Sequence, residues 1–180
     1  MHGNQFVLSY SVGATKVLES PGSEEAESIG ALTRTLNLGP RAKDLILQVA
    51  RGIPGQTKFL MDLDRSPVAR EGIALLRNPS GQPRTGQAGN RSPEVHTTAV
   101  AVVGGGGNLK WLTTPDGDLR LRIASGEDPV RLKLLYSQMA DESAVQPFVD
   151  LLRVTTAPHD LNAWTRGEPE LWKETTTTRV

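Results

Sequence analysis

The chain contains no cysteine, which excludes disulfides, thiolate catalysis, iron–sulfur clusters and zinc sites built from cysteine. It also lacks a surplus of charge. Twenty Lys and Arg balance twenty Asp and Glu, for a formal net charge of +0. Coating nucleic acid or an anionic membrane needs a cationic surplus, so neither is the expected main task. Aromatic residues are scarce, at 4%. No apolar run approaches the roughly 18 residues of a membrane-crossing helix, so no transmembrane segment is expected. Met1 to Leu8 carry neither a basic start nor an apolar stretch of signal-peptide length, and no secretory signal is expected. Asn90-Arg91-Ser92 then reads as an incidental sequon. The expected location is the cytoplasm, or a virion or other assembly.

What is present is enough chain for one domain, and many breakers. The 180 residues include 18 Gly and 12 Pro with 37% hydrophobic residues, a composition that fits a compact core with long connections. Gln5 to Val12 alternates Phe6, Leu8 and Tyr10 against Val7, Ser9 and Ser11, the period of a strand. After Pro21-Gly22, Ser23 caps an expected helix with Ile29, Leu32 and Leu36 at helical spacing, closed by Gly39-Pro40. A second helix is expected from Arg41 to Arg51, ended by Gly52-Ile53-Pro54-Gly55. Thr57 to Leu63 reads as a buried strand. Ser66-Pro67 starts a third expected helix, burying Val68, Ile73, Leu75 and Leu76.

Pro79 to Glu94 has no periodicity and reads as one long exposed loop. Loops longer than about 12–15 residues usually bind something or lack fixed structure. Val95 to Val103 reads as a strand before Gly104 to Gly107. Pro115-Asp116-Gly117-Asp118 then predicts a hairpin between Leu109–Thr114 and Leu119–Ile123. With Asp116-Gly117 as a two-residue loop, Leu112, Leu119, Leu121 and Ile123 face the core, while Trp111, Thr113, Arg120 and Arg122 face out. Asp128-Pro129 opens an expected helix with Val130, Leu132, Leu135, Tyr136 and Met139. Ser143 opens another, with Pro147 in its first turn and Phe148, Leu151 and Leu152 as its buried stripe. The expected fold class is α+β: a largely antiparallel sheet packed with about four or five helices. Residues 1–156 form the expected domain and 157–180 an extended C-terminal arm.

The clearest catalytic pattern is Phe59-Leu60-Met61-Asp62-Leu63-Asp64-Arg65-Ser66. Two carboxylates at a strand tip can attack a phosphate and hold magnesium. The run resembles the first motif of the haloacid-dehalogenase phosphatases, which implies catalysis by Asp62 and Asp64 with magnesium. That family also needs a later lysine and a later acidic pair at strand ends, whereas Asp116 and Asp118 fall in a hairpin turn. The competing explanation is that Asp64 and Ser66 cap the next helix and Asp62 is solvated. The glycines 104–107 precede a strand instead of a helix, so they lack the free N–H groups that cradle a phosphate. His2, His96 and His159 have no ligand spacing, and no cofactor is expected. Catalysis is therefore the weaker expectation.

Binding surfaces have more to support them. Leu161, Trp164, Leu171 and Trp172 lie on an otherwise polar segment, where large apolar anchors provide affinity for a groove. The segment either folds back on its own domain or reaches a neighbour. Trp111 and Arg122 can stack on the outer face of the hairpin with Arg120 beside them. Whether that face meets RNA, lipid or protein stays open. Thr178-Arg179-Val180 matches a PDZ-type ligand, read by strand addition and capture of the terminal carboxylate. The leading expectation is a non-enzymatic structural subunit that self-assembles into a shell, layer or filament, coat- or matrix-like, through the aromatic arm. A magnesium-dependent phosphoryl-transfer enzyme and a PDZ adaptor are the alternatives.

Overall fold

The computed structural model describes residues 6–26, 29–60, 72–79 and 95–165. The chain opens as a hairpin of β1 (Leu8–Val12) and β2 (Thr15–Ala26), followed by β3 (Ile29–Leu38), β4 (Leu45–Ala50), β5 (Thr57–Leu60), β6 (Ile73–Pro79) and β7 (Val95–Gly104). A second hairpin of β8 (Leu109–Thr113) and β9 (Leu119–Ile123) leads to β10 (Val130–Met139). Two helices follow, α1 (Gln146–Val154) and the short α2 (Leu161–Thr165). A seven-stranded sheet runs β1-β2-β3-β10-β7-β6-β5, and a three-stranded sheet runs β4-β9-β8. Every strand pair is antiparallel.

The large sheet is covered on both faces. Val17, Leu36, Leu38, Val130, Leu132, Leu134, Val100 and Val102 form one core with Val49, Leu109, Trp111, Leu119, Leu121 and Ile123 of the small sheet. Ala99, Ala101, Val103, Leu135 and Met139 form the other with Phe148, Val149, Leu151 and Leu152 of α1. Alternate residues of one strand therefore enter different cores, as the period of two requires. Arg41 is buried at 2% exposure, and it donates to the carbonyl oxygens of Ala124, Gly39 and Asp128. It pins the β3–β4 connection to the β9–β10 connection.

The architecture corrects the expected α+β class. Among the described residues it is mostly antiparallel sheet with one substantial helix, α1, instead of a sheet packed with four or five helices. The segments expected as helices at 23–39, 41–51 and 128–139 contain β2 and β3, β4, and β10. The reason is burial on both faces. In β10, Val130, Leu132, Leu134 and Tyr136 line one face while Leu135 and Met139 line the other. Apolar residues on both faces coincide with helical spacing, which is how a doubly covered strand imitates a helix. The continuous run Ile73-Ala74-Leu75-Leu76 in β6 is buried for the same reason. Ser66-Pro67, and most of the expected third helix, lie outside the described residues.

Pro21 does not break the chain. It sits inside β2, paired with Arg34 of β3. The β1 ladder ends at Glu19, so β2 is itself the sheet edge at Pro21, where a missing N–H is tolerated. The expected helix after Ser143 is present, with Pro147 in the first turn of α1 and Asp141 capping the preceding 3₁₀ turn through the Ser143 N–H at 2.8 Å. Residues 80–94 of the expected long loop lie outside the described residues, while its flanks, Pro79 and Val95, are directly paired. Among the described residues no helix is long and apolar enough to cross a membrane.

The β8–β9 hairpin forms where the turn residues predicted it, but in another register. Thr113 pairs with Leu119 and Trp111 with Leu121. The loop is Thr114 to Asp118, closed by Thr114 N–H donating to the Asp118 carbonyl at 3.0 Å. Gly117 in this loop has φ +86 and lies so close to Ile53 that a Cβ would come within 2.4 Å of its carbonyl carbon. Moving the register by one residue exchanges the faces. Trp111 therefore lies in the core at 8% exposure, and Leu112 shares the outer face with Arg120 and Arg122.

Candidate interaction surface

The first strand carries a surface that the other described residues leave uncovered. Val12 pairs with Thr15 across the two-residue loop Gly13-Ala14, and Gly13 takes the φ of +59 that such tight hairpin turns need. The ladder places Leu8, Tyr10 and Val12 beside Glu19, Val17 and Thr15, on the face that the small sheet covers farther in. That cover reaches Val17, which is 1% exposed, and stops short of β1. Leu8, Tyr10 and Val12 stand at 50%, 39% and 47% exposure, with Phe6 at 45% just before them. Ser9 and Ser11 occupy the opposite face and are exposed as well. Among the described residues β1 has one neighbouring strand, β2, so its outer row of N–H and C=O groups is open.

Beneath this strand a polar cluster fixes its position. The Tyr10 hydroxyl donates to Glu19 Oε2 at 2.8 Å, and Arg34 Nε donates to Glu19 Oε1 at 2.8 Å. Burial pushes the Glu19 carboxyl upward, but the hydrogen bonds from Arg34 and Tyr10 together hold it below the usual carboxylate range. Burial, followed by the bond to Glu19 and its charge, pushes the Tyr10 hydroxyl up to about 12.

The start of the C-terminal arm is fastened to its own sheet. Lys133 Nζ donates to the Thr156 carbonyl at 2.9 Å. The Asn37 amide donates to the His159 carbonyl at 3.0 Å and accepts from the Leu161 N–H at 2.8 Å. Arg131 pairs with Asp160 at 2.6 Å. Leu161 is fully buried within the chain, and Trp164 is half-buried, with its ring 5.1 Å from that of His159. The described part of the arm is therefore docked in cis. Leu171 and Trp172 lie outside the described residues, as do Thr178, Arg179 and Val180.

The expected basic face comes apart into pairs. Trp111 is in the core, on the opposite face from Arg122, so the two do not stack. Both Arg122 Nε and Arg122 Nη2 reach Asp44 Oδ2, at 2.7 and 2.6 Å, and Arg120 lies 3.6 Å from Asp118. The Ser125 N–H and then Arg122 hold the Asp44 carboxyl below its usual range. Each guanidinium is matched by a carboxylate, while Lys110 stands opposite Arg122 on the same face.

Asp62 and Asp64 lie outside the described residues. Among the described residues no three His, Asp or Glu side chains are grouped to hold a metal. An open cleft of about 440 Å³ runs past Ser23, Glu24, Leu32, Tyr136 and Ser137. Its Glu24 is engaged by Lys133 at 2.5 Å. Sequence reasoning recognised the alternation in β1 but not its exposure, because nothing local records where the covering sheet ends. One signal was available: Phe6 to Val12 contains no charge and no proline, the devices that protect an ordinary edge strand. The chain matches no family model, no curated protein and no solved structure.

Proposed function

We propose that this protein is a non-enzymatic structural subunit that self-assembles into a shell, layer or filament, coat- or matrix-like, working in the cytoplasm or within a virion. The observation that carries this reading is the open edge strand β1, exposed along its whole length and apolar at alternate positions. A fully buried side chain of the size of Leu or Val is worth about 1.5–3 kcal/mol, so leaving three of them half exposed forgoes on the order of 3 kcal/mol that a neighbour recovers. Monomeric proteins blunt such edges with charge, proline or a covering loop. Leu161 is committed to the core of its own chain, so what the described part of the arm offers a neighbour is the exposed half of Trp164. Its later anchors, Leu171 and Trp172, supply the second contact that a lattice requires.

Multi-angle light scattering across a concentration series, followed by negative-stain microscopy, tests this reading. The expected outcome is a mass above the 19.4 kDa of one chain that rises with concentration. A species of 19.4 kDa at every concentration would contradict it.

A further inference from the structure

We infer that β1 pairs antiparallel with β1 of a second copy, across a twofold axis normal to the sheet and centred on Tyr10. The inference rests on the assembly reading and names the contact. Three observations carry it. The edge is open among the described residues and offers a row of hydrogen-bonding groups that another strand can pair. The strand, Leu8-Ser9-Tyr10-Ser11-Val12, is self-complementary: antiparallel pairing about its centre sets Tyr10 against Tyr10, Ser9 against Ser11 and Leu8 against Val12. No charge meets a like charge in that register, which otherwise opposes self-pairing.

The faces also agree. A twofold axis normal to the sheet keeps each face on its own side, so the stripes of Leu8, Tyr10 and Val12 from both copies meet on one side and the serines on the other. The result is a single sheet running through both molecules, the isologous contact expected of a symmetric dimer. The opposite edge of the sheet is built differently. Strand β5 carries Lys58 in an ion pair with Glu142 at 2.8 Å, a charged edge of the kind that resists strand addition.

Because the chain has no cysteine, Tyr10→Cys introduces the sole thiol, and directly opposed positions in an antiparallel pair are close enough for a disulfide to form. Mild oxidation of this variant is expected to give a covalent dimer on a non-reducing gel. Ile46→Cys, on the edge strand β4 of the small sheet and more exposed than Tyr10, is expected to remain monomeric. Register is tested separately. Leu8→Lys alone and Val12→Glu alone are each expected to weaken association by about tenfold or more, and the double variant to restore it, since the two new charges then face each other across the axis.

Cross-linking of Tyr10→Cys no faster than of Ile46→Cys, or a double variant weaker than either single one, would overturn the pairing. If the unaltered chain still scatters light as an oligomer in that case, the copies associate through another contact and the assembly reading stands. If it is monomeric throughout, both readings fall.

Discussion

Lys133 of β10 donates to Glu24 of β2 at 2.5 Å while its side chain is only 3% exposed, so one buried ammonium ties the sheet to the residue that leads into the arm through the Thr156 carbonyl. Removing one partner of a buried pair leaves the other charge unmatched, which is usually more costly than the pair is worth. Lys133→Met is expected to destabilise the fold by about 2–4 kcal/mol, with partial solvation of Glu24 keeping the loss below the extreme. It is also expected to raise protease cleavage within residues 155–165. Urea unfolding and limited proteolysis measure the two effects. Unchanged stability together with an unchanged cleavage pattern would show that the clamp is not needed.

The cluster under β1 has a signature at each end of the pH scale. The folded-state pKa of Glu19 lies below the ordinary value, near 4.3 in an unfolded chain. Its stabilising contribution is therefore present above about pH 4.3 and lost as pH falls through the lower folded value. Glu19→Gln should flatten the acid limb of the stability profile. Tyr10 behaves in the opposite sense. Its folded value is pushed up to about 12, so its contribution is full below about pH 10 and lost as pH rises toward the folded value. Burial raises Tyr136 as well. In Tyr136→Phe the remaining tyrosinate absorbance should appear with a midpoint near 12. A midpoint close to 10, the ordinary value, would mean that neither burial nor Glu19 acts on the hydroxyl.

Trp111 lies in the core opposite Leu121, and among the described residues its indole N–H has no hydrogen-bond partner. Trp111→Ala should cost about 3–5 kcal/mol, as the removal of a large buried aromatic does. Trp111→Phe should cost much less, because it keeps a buried ring and removes a donor that is costly to leave unmet. Denaturant midpoints of the two variants measure this. A loss within about 0.5 kcal/mol for Trp111→Ala would place the ring on the outer face instead.

The same residue marks what was legible in the sequence. Asp116-Gly117 announced the β8–β9 hairpin, and Pro147 with Phe148, Leu151 and Leu152 announced α1, because turn chemistry and a one-sided stripe are local signals. Register was not legible. It depends on whether the loop holds two residues or the five from Thr114 to Asp118, and an error of one residue turned Trp111 outward. Strands β3 and β10 were hidden because both of their faces are covered, which erases the simple alternation. Leu32 shows how misleading the spacing is: it falls at helical spacing with Ile29 and Leu36, yet it is 70% exposed. For the candidate surface, Leu8 and Tyr10 were recognised as alternating, but the extent of the small sheet decides that they lie bare. That extent is a property of the packed fold, not of the strand.

The central claim is that the open edge of β1 drives association, and sedimentation velocity of the unaltered chain beside Tyr10→Lys tests it most directly. A lysine on an edge strand blocks pairing by desolvation and like-charge contact across the axis. The account predicts a sedimentation coefficient that rises with concentration for the unaltered chain and stays at the monomer value for the variant, with both folded by circular dichroism. Identical sedimentation of the two proteins at every concentration would contradict it.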